Sequence, residues 1–457
     1  MTNVAVLRMR VGFHTLGCKT NAYETQAIRE QMEQAGWEEG SFSEPCDVYV
    51  INTCAVTKEA SRKSRQMIGR CRRLNQNALV VVTGCYAQEE GERLLSDTDA
   101  DILVGNSEKN QILPLIQRCL KEREEGRTES KKTVMKDLTH CREFEDQSIS
   151  SQKGHTRVYV KIQDGCDRFC SYCLIPYLRG RSRSRKPQDI LREVRALAEE
   201  GCAEVVLTGI DISSFAYDLT ELICKIADIP GILRIRLGSL EEGIISRPFL
   251  ERLCQVPSFC PQFHLSLQSG SDSVLARMNR HYQTRQYEDA VALIRKYYPE
   301  AGITTDLIAG FPSETEEEFQ ETLDFVQRIG FSRIHAFPFS VREGTRAEKM
   351  PGQLSKTVKE ERTRMLIAAG AGLQEAYESR LIGTRCEILA EECISLTDDQ
   401  GQARAFLAGY TPEYVRILAS AGTDHAKAEK EVGRLVYVRP TGFGKERILL
   451  ASRADLG

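Results

Sequence analysis

The chain has 457 residues, with 62 basic and 65 acidic side chains and a formal net charge of −3. This length exceeds what a single compact core normally supports, so two or three domains are expected. The near balance of charge excludes the overall basic composition of many nucleic-acid-binding proteins. Any RNA-binding role must therefore come from local patches.

The first residues, MTNVAVLRMRVGFHTLGC, carry basic side chains within their apolar run and lack a small-residue cleavage site, which argues against a signal peptide. No stretch approaches the roughly 18 uncharged apolar residues of a membrane helix. A cytoplasmic protein with no membrane partner is expected. Because that compartment keeps thiols reduced, the 16 cysteines favour metal binding or catalysis over disulfides wherever they cluster.

Residues 1–120 alternate short β-branched runs with helix-length segments. The runs VGFHTLGC, DVYVINTC, LVVVTGC and ADILVG are typical of strands, and residues 22–35 and 58–74 are typical of helices. This alternation predicts an α/β domain in which helices cover both faces of a parallel sheet.

Three cysteines of this domain fall just past the ends of three predicted strands: Cys18, Cys54 and Cys85. In an open parallel sheet the carboxyl ends of the strands converge on one crevice. Cysteines that are distant in the sequence can therefore meet there. We expect a three-thiolate site, and the alternative is coincidence in a chain rich in cysteine.

Residues 121–155 begin with the charged run KEREEGRTESKK and stay polar to about His155. Such a segment predicts an exposed linker or a mobile arm.

Six strand-like runs, each followed by a helix-length segment, occupy residues 156–378. They are RVYVKI, AEVVLTG, LRIRLGS, QFHLSLQ, ITTDLIAG and SRIHAFPF, and a helix is expected around residues 356–379. Six β/α units predict a partial (β/α)6 barrel with its active groups at the carboxyl ends of the strands. Residues 379–450 instead contain short alternating strands with Gly and Pro turns, which predict a small β-barrel of the OB-like type.

The motif GCDRFCSYC directly after the first barrel strand contains Cys166, Cys170 and Cys173. A structural zinc site has four closed ligands, and no further His or Cys follows nearby. Thiolates at this density favour an iron–sulfur cluster, with one iron left open. The alternatives are a zinc knuckle that lacks one ligand, or buried structural thiols.

A C-x3-C-x2-C motif after the first strand of a six-unit barrel resembles the radical S-adenosylmethionine superfamily. The resemblance implies a 4Fe–4S cluster whose open iron binds the amino and carboxylate groups of S-adenosylmethionine. One electron would then cleave the sulfonium to give a 5′-deoxyadenosyl radical. It also implies that Tyr172 packs near the adenine and that TDLIAGFPSETEEEF lies along the adenosine, with Gly310 allowing close backbone approach.

Other cofactor contacts are suggested by position along the barrel strands. Thr208 and Gly209 match the place where the superfamily holds the methionine amino group, although a simple strand-end turn explains them equally well. His264 and Gln268 lie on the polar face of HLSLQ, which would point into the barrel, and a structural role for His264 is the alternative. Two further candidates of the same kind are Ser239 and Glu241.

The two cysteine triads together resemble the methylthiotransferases, and the resemblance covers nearly the whole chain. It implies two 4Fe–4S clusters, an N-terminal cluster domain, a radical S-adenosylmethionine barrel and a C-terminal RNA-binding barrel of the TRAM type. In that family one S-adenosylmethionine methylates a sulfur at the N-terminal cluster, and a second generates the radical that activates a substrate C–H bond. Such chemistry implies an electron donor such as flavodoxin or ferredoxin, and a sulfur source.

The segment TLGCKTNAYET resembles the branch that modifies N6-threonylcarbamoyladenosine at tRNA position 37, because Lys19, Thr20 and Asn21 follow Cys18. The implied reaction is methylthiolation at C2. The nearest alternatives are isopentenyladenosine in tRNA and an aspartate of a ribosomal protein. An alternative from another class is a non-catalytic zinc RNA-binding protein. An arginine would suit the carboxylate of the threonylcarbamoyl group, and Arg342 is the candidate, with a structural salt bridge as its alternative.

Two basic runs, KEASRKSRQMIGRCRR and RGRSRSRK, flank predicted cluster ligands, which favours phosphate binding over a merely solvated face. The C-terminal barrel offers aromatic and cationic side chains for stacking and phosphate contact, although an ordinary barrel surface would also carry them. The predicted RNA-binding residues are Arg62, Lys63, Arg65, Arg181, Arg183, Arg185, Tyr410 and Arg416.

Of the ten cysteines outside the two triads, nine are noted as lacking ligand spacing, and they are expected to be small buried hydrophobic residues. They are Cys71, Cys119, Cys141, Cys202, Cys224, Cys254, Cys260, Cys386 and Cys393.

Overall fold

A computed structural model describes residues 9–127, 131–150, 156–397, 403–444 and 447–454. Residues 1–8, which are part of the segment that carries the signal-peptide prediction, lie outside these ranges. Residues 128–130 and 151–155 of the predicted linker also lie outside them. None of the helices within them is long and apolar enough to cross a bilayer.

The N-terminal sheet contains six parallel strands in the order β2-β1-β3-β4-β5-β6. Its central strands, VYVINT and LVVVTG, are buried along their whole length, as expected for strands covered on both faces. The predicted parallel α/β sheet is therefore confirmed. The strands are β1 (Arg10–Thr15), β2 (Glu38–Gly40), β3 (Val48–Thr53), β4 (Leu79–Gly84), β5 (Ile102–Val104) and β6 (Lys132–Val134).

Five helices cover this sheet. The second one begins at the run KEASRK because the Thr57 side chain accepts a hydrogen bond from the Ala60 N–H and caps the first turn. Its buried residues Ser64, Ile68 and Cys71 recur at helical spacing and face the sheet. The helices are α1 (Lys19–Gln34), α2 (Lys58–Leu74), α3 (Cys85–Glu90), α4 (Glu92–Asp97) and α5 (Ile112–Glu124).

More than half of the described residues of the predicted linker, 121–155, are exposed, but parts of the segment are packed against the fold. Helix α5 ends inside the charged run, and strand β6 pairs with β5 at the edge of the sheet. Leu138 and Ile149 are buried to 1% and 2% exposure. Two isolated apolar anchors and a three-residue edge strand are enough to pack the segment, and the charged composition around them concealed this.

The barrel sheet has six strand positions. Strands β11 and β12 together occupy one strand position of the barrel and are interrupted at Gly238. An isolated bridge joins β11 to the residues before β13. The predicted partial barrel is confirmed. Its strands are β7 (Arg157–Lys161), β10 (Glu204–Thr208), β11 (Arg234–Leu237), β12 (Ser239–Leu240), β13 (Gln262–Leu265), β14 (Gly302–Ala309) and β15 (Arg333–Pro338), and a side hairpin is formed by β8 (Gln163–Asp164) and β9 (Arg183–Ser184).

Helices pack on the outside of this sheet. Helix α12 starts with a capping box between Thr315 and Glu318, and α13 coincides with the helix predicted near residue 356. The helices are α6 (Ile175–Leu178), α7 (Pro187–Glu199), α8 (Leu219–Ala227), α9 (Arg247–Leu253), α10 (Asp272–Arg277), α11 (Thr284–Tyr297), α12 (Glu316–Ile329) and α13 (Lys356–Ser379).

The C-terminal strands close into a five-stranded barrel in the order β16-β17-β18-β20-β19, which confirms the predicted small β-barrel. Its core contains Ile388, Leu407, Ile417 and Val438. The elements are β16 (Cys386–Thr397), β17 (Ala403–Tyr410), β18 (Arg416–Ser420), α14 (His425–Glu429), β19 (Leu435–Phe443) and β20 (Leu449–Arg453).

The two outer domains pack against opposite ends of the central barrel. On α1 of the N-terminal domain, Tyr23 belongs to the barrel's own hydrophobic core, and its hydroxyl donates to the Gln147 carbonyl at 2.7 Å. At the amino end of β11, Arg234 donates to the Tyr410 carbonyl at 2.6 Å and Arg236 to the Pro412 carbonyl at 2.7 Å. The carboxyl ends of the barrel strands therefore face the N-terminal domain.

Candidate active site

The barrel triad lies on one tight loop between β8 and α6. Gly165, immediately before Cys166, has φ +73°, and a Cβ there would lie 2.0 Å from the Arg181 carbonyl oxygen, so only glycine fits. Phe169 also has a positive φ, of 49°, and its carbonyl accepts a hydrogen bond from Asn279 Nδ2 at 3.0 Å. The loop is thus held in a conformation that brings its cysteines together.

Burial raises the pKa of Cys166 and of Cys173 to about 12, and the neighbouring thiol of Cys170 adds to the rise for both. Arg280 Nη1 lies 3.4 Å from Cys170 Sγ and also pairs with Glu241. A cluster bound here would therefore have to displace protons from Cys166 and Cys173.

The second triad is assembled from three strand ends, as predicted. Cys18 precedes α1, Cys54 follows β3, and Cys85 begins α3 directly after β4. Burial raises the pKa of Cys54 to about 11, and the Cys85 and Cys18 thiols contribute to this rise. Burial also raises the pKa of Cys85, with a contribution from Cys18. The three thiols therefore lie within electrostatic range of one another.

Glycines permit this convergence. Gly17 has φ +105°, and a Cβ there would lie 3.1 Å from Cys54 Sγ. Gly84 has φ +94°, and a Cβ there would lie 2.4 Å from the Thr53 carbonyl oxygen. Gly165 has the same relation to Cys166. A glycine with a positive φ therefore directly precedes one cysteine of the barrel triad and two of the N-terminal triad.

The donor chemistry of both triads fits iron–sulfur clusters, since each presents sulfur ligands. Among the described residues, no three His, Cys, Asp or Glu side chains are arranged to hold a single metal ion. Three thiolates on a cubic cluster bind three different iron atoms, so they need not surround one common point.

A cavity of about 280 Å³ separates the triads and is lined by one cysteine of each, Cys85 and Cys173. Its wall is mainly apolar and comes from both domains. Val56 and Phe337 are 59% and 49% exposed, although side chains of this kind are usually buried. The polar groups on the lining include Gln268 and Asp306. Groups held by the two triads would therefore meet in one water-poor space.

A buried ionic network connects the flanks of the two triads. Arg179 Nη1 lies 2.9 Å from Glu24 Oε1 and 3.1 Å from Asp164 Oδ1, and Lys161 Nζ lies 2.7 Å from both carboxylates. Lys109 Nζ is 3.3 Å from Glu24. Burial alone would raise the pKa of Glu24, but Arg179 and the two lysines outweigh it and hold that pKa well below its usual range.

This network also reaches the N-terminal thiols. Burial raises the pKa of Cys85, and the positive charge of Arg179 opposes this rise. Arg179 Nη2 also donates to Asn21 Oδ1 at 2.6 Å. Glu24 and Asn21 lie on the helix that follows Cys18, and Asp164 lies two residues before Cys166. Each charged member of the network has a counter-charge, so the network forms a continuous connection between the two cysteine sites.

Several predicted cofactor-binding residues surround the barrel triad. Tyr172 and Gln268 line the cavity. Glu241 is joined to Cys170 through Arg280. His264 Nδ1 lies 3.0 Å from Thr304 Oγ1, and its Nε2 lies 3.4 Å from Asp306 Oδ2. A cofactor role for these residues stays a prediction.

The remaining predicted cofactor residues have other surroundings. A Cβ at Gly209 would lie 2.8 Å from the Gln163 carbonyl oxygen, and one at Gly310 would lie 2.5 Å from Lys359 Cγ. Packing against protein thus already requires both glycines. Thr208 is buried at the end of β10, and Ser239 is exposed on the barrel sheet.

The basic residues predicted on α2, namely Arg62, Lys63 and Arg65, are exposed. Two of them have partners on the surface, since Arg62 pairs with Glu59 and Arg65 with Glu90. They remain accessible to a phosphate, and helix α2 begins four residues after Cys54. Arg181 is 35% exposed, 3.3 Å from Asp167 and stacked on Phe169.

The prediction that Arg183 and Arg185 bind RNA is wrong, because they are only 4% and 3% exposed. Arg183 pairs with Asp164 at 3.3 Å, and Arg185 pairs with Glu193. This part of the basic run RGRSRSRK, which follows the loop of the barrel triad, is therefore buried and neutralises buried carboxylates.

The aromatic face predicted to stack on RNA is largely occupied. The Tyr410 and Tyr414 rings stack with centroids 4.6 Å apart, and the Arg157 guanidinium lies 5.0 Å and 5.2 Å from their centres. These rings attach the small barrel to the central one. Arg416 is 43% exposed and pairs with Glu392 at 2.8 Å.

Arg342, the candidate for substrate binding, instead forms the structural salt bridge that was its alternative. It is 7% exposed, and its Nη2 lies 2.5 Å and 2.6 Å from the two Glu89 carboxylate oxygens. The pair joins the barrel to α3, which carries Cys85.

Glu24 and Asp306 were missed from the sequence, because their partners are far away in the chain and no local pattern identified them. Arg179 was noted as part of the basic run RGRSRSRK, but it is fully buried and pairs with carboxylates rather than phosphate. Phe337 had a detectable signal, because it stands near the end of a barrel strand, where such folds place their sites. In the sequence, Lys19 served only to identify the branch of the family. Burial and nearby arginines lower its pKa to about 8, and it lies near Asp306.

Of the nine cysteines expected to be buried, Cys71, Cys119, Cys202 and Cys260 are buried. Cys254 is exposed, so the prediction is wrong there, and the other four are half-buried. Cys393 Sγ lies 3.6 Å from His425 Nε2 at the exposed edge of the small barrel.

Comparison with known proteins agrees with this architecture. Residues 160–326 match the radical SAM superfamily, and residues 10–105 match the family described as Uncharacterized protein family UPF0004. The radical S-adenosylmethionine methyltransferase TsrM from Kitasatospora setae, solved with cobalamin and a 4Fe–4S cluster, aligns with a TM-score of 0.53 and 15% identity over 73% of this chain and 75% of that one. This likeness concerns the fold. The protein is thus a radical S-adenosylmethionine enzyme, a class that uses an iron–sulfur cluster and S-adenosylmethionine.

Two curated relatives identify the family more narrowly. The threonylcarbamoyladenosine tRNA methylthiotransferase of Bacillus subtilis is 37% identical over 94% of this chain and 93% of its own length. The tRNA-2-methylthio-N(6)-dimethylallyladenosine synthase of Desulfitobacterium hafniense is 34% identical over 82% of this chain and 85% of its own. The chain belongs to the tRNA methylthiotransferase family, as its motifs predicted.

Proposed function

We propose that this enzyme transfers a methylthio group to C2 of N6-threonylcarbamoyladenosine at position 37 of tRNA. The observation that carries the proposal is a mainly apolar cavity that is lined both by Cys85 of one triad and by Cys173 of the other. A transfer between two sulfur-ligated cofactors requires both to face the same substrate atom. The relative named for this activity also aligns over more of the chain, and at higher identity, than the dimethylallyladenosine enzyme.

We infer two 4Fe–4S clusters, one on each triad. When bound, the barrel cluster with S-adenosylmethionine supplies radical chemistry, and the N-terminal cluster supplies the sulfur to be transferred. The protein's own part is to position these groups and exclude water. The buried Arg179 network connects the elements that carry the two triads, and Arg280 Nη1 holds Cys170 Sγ at 3.4 Å.

The cavity suits a nucleobase taken out of its stack. Phe337, near the end of β15, lines this space and is 49% exposed, and Val56 lines it from the N-terminal domain. Aromatic side chains bind an extruded base through its π-face. Gln268 and Asp306 offer the polar groups needed to orient its edge. We therefore place the adenine between Val56 and Phe337.

The exposed basic face of α2 would contact the tRNA backbone beside this cavity. An electron donor such as flavodoxin or ferredoxin and a source of sulfur complete the reaction, and a tRNA substrate places the enzyme in the cytoplasm. A non-catalytic zinc protein is not favoured, because the named relatives are enzymes.

The test supplies reconstituted enzyme, S-adenosylmethionine, sulfide and a reductant with three substrates side by side. These are anticodon stem–loops carrying threonylcarbamoyladenosine or isopentenyladenosine, and the ribosomal protein aspartate substrate. Mass spectrometry of the products should show the methylthio adduct only on the first. Preferential modification of either of the others would refute the assignment.

A further inference from the structure

Two lysines at the rim of the cavity are not among the RNA-binding residues named above, although Lys58 belongs to the basic run of α2. Lys58 begins α2, and its backbone N–H donates to Ser340 Oγ at 3.3 Å. Lys359 lies on α13, with its ammonium 4.9 Å from the centre of the Phe339 ring. Phe339 and Ser340 are consecutive residues of the cavity lining. Both lysines are therefore anchored on one strip of the rim, although they come from different domains.

The positive charges of these lysines are not compensated locally. Among the described residues, neither ammonium has a carboxylate at ion-pair distance, whereas Lys356, one turn earlier, lies 3.6 Å from Glu360. Glu59, next to Lys58 in the chain, pairs with Arg62, and Glu360, next to Lys359, pairs with Lys356. Burial and the charge of Lys58 lower the pKa of Lys359, so the two cations repel each other. An anion placed between them would relieve this repulsion.

We propose that Lys58 and Lys359 together bind the backbone phosphate next to the target nucleotide while its base occupies the cavity. The inference rests on the proposed function and adds a phosphate site to it. The apolar wall can take a base but offers nothing to a phosphate, so the backbone must remain at the rim. Because the lysines belong to the N-terminal domain and to the barrel, one phosphate would also bridge the two walls of the cavity.

Binding of a threonylcarbamoyladenosine-containing anticodon stem–loop to the cluster-loaded enzyme, measured over a range of salt concentrations, tests this site. Lys58→Met and Lys359→Met should each weaken binding about 5- to 10-fold and lower the salt slope of the affinity by roughly 0.7 to 1. Lys58→Arg and Lys359→Arg, which keep the charge, should bind nearly normally. Lys296→Met is the matched control, because Lys296 is an exposed lysine near the end of α11, at the opposite end of the barrel.

A stem–loop with a neutral methylphosphonate on the 5′ or 3′ side of the target nucleotide identifies the phosphate. One of the two should weaken binding to the wild type but have no further effect on the Lys58→Met/Lys359→Met double variant. If both variants keep the wild-type salt slope, or if the methylphosphonate weakens the double variant equally, the phosphate site is refuted. It is also refuted if the substitutions slow only reduction by flavodoxin, because the lysines would then bind an acidic protein.

This outcome is separate from that of the proposed function. If the product specificity is wrong but phosphate binding still depends on the lysines, only the reaction assignment is overturned. The correct methylthio product with unchanged salt dependence in the variants would overturn the phosphate site alone.

Discussion

The two cysteine triads reach the same cavity by different routes. Cys166, Cys170 and Cys173 lie on one loop whose turns are set by local left-handed residues. The N-terminal thiols come from three separate strands and meet only because the sheet places β1, β3 and β4 side by side. The first site is therefore a property of a short segment, and the second is a property of a whole domain. Damage to the N-terminal sheet should destroy one cluster site and spare the other.

The strongest test of this comparison removes one ligand at a time. Cys54→Ala and Cys170→Ala should each abolish product formation, because both triads must serve one cavity. Each variant should lose the iron and the electron paramagnetic resonance signal of its own cluster and keep those of the other. If either substitution removes both signals, the two sites are not independent. If Cys54→Ala leaves activity intact, the N-terminal triad has no part in the reaction.

The buried network that joins the triads should contribute strongly to stability. Glu24→Gln leaves Arg179, Lys161 and Lys109 without a full counter-charge at a position with 0% exposure, and should lower the free energy of unfolding by about 3 kcal/mol. Urea denaturation measures this. The control, Glu221→Gln, breaks a pair that is about half exposed and should cost less than roughly 0.5 kcal/mol.

The same network predicts a pH dependence. The folded-state pKa of Glu24 lies below its usual value of 4.5, so its stabilising effect is fully present above that pH and is lost as the pH falls. The difference in stability between the wild type and Glu24→Gln should accordingly shrink below about pH 4.5. A difference that grows in acid would contradict the assignment.

Substitution of the glycine before Cys85 tests what a backbone clash adds to the strain of a positive φ. In Gly84→Ala a positive φ is combined with a backbone clash at Thr53. We expect the free energy of unfolding to fall by about 2–4 kcal/mol. The iron content should fall in the N-terminal cluster only. Gly36→Ala has a similar φ, +85°, but no atom within 4 Å of the new Cβ. It should cost about 1 kcal/mol and keep both clusters.

The smallest effect is expected at a cysteine outside both triads. Cys119→Ala removes one sulfur from the core beneath α5 and should cost about 1 kcal/mol while leaving iron content and activity unchanged. Iron analysis of this variant therefore checks that cluster loss in the other variants is specific to the triads. Loss of iron here would mean that cysteines outside the triads also hold metal.

Much of the architecture was predictable because its signals are local. Buried parallel strands appear as unbroken β-branched runs, as in LVVVTG, and α2 begins and ends where its cap and periodicity indicate. Strands β2 and β6 were missed because their three residues, EEG and KTV, are largely polar, whereas the equally short β5 is the apolar run ILV. The packing of the segment after α5 was missed because its two apolar anchors are hidden among charged residues.

By itself, the sequence determined the order of the elements, the ligand motif of the barrel and the family, since each of these depends on neighbouring residues. Only the tertiary structure decided which charges face solvent. Arg62 and Arg183 belong to similar basic runs, yet one is exposed on α2 and the other neutralises Asp164 inside the protein. The free energy of a buried charge depends on partners that are distant in the chain, and no local pattern contains that information.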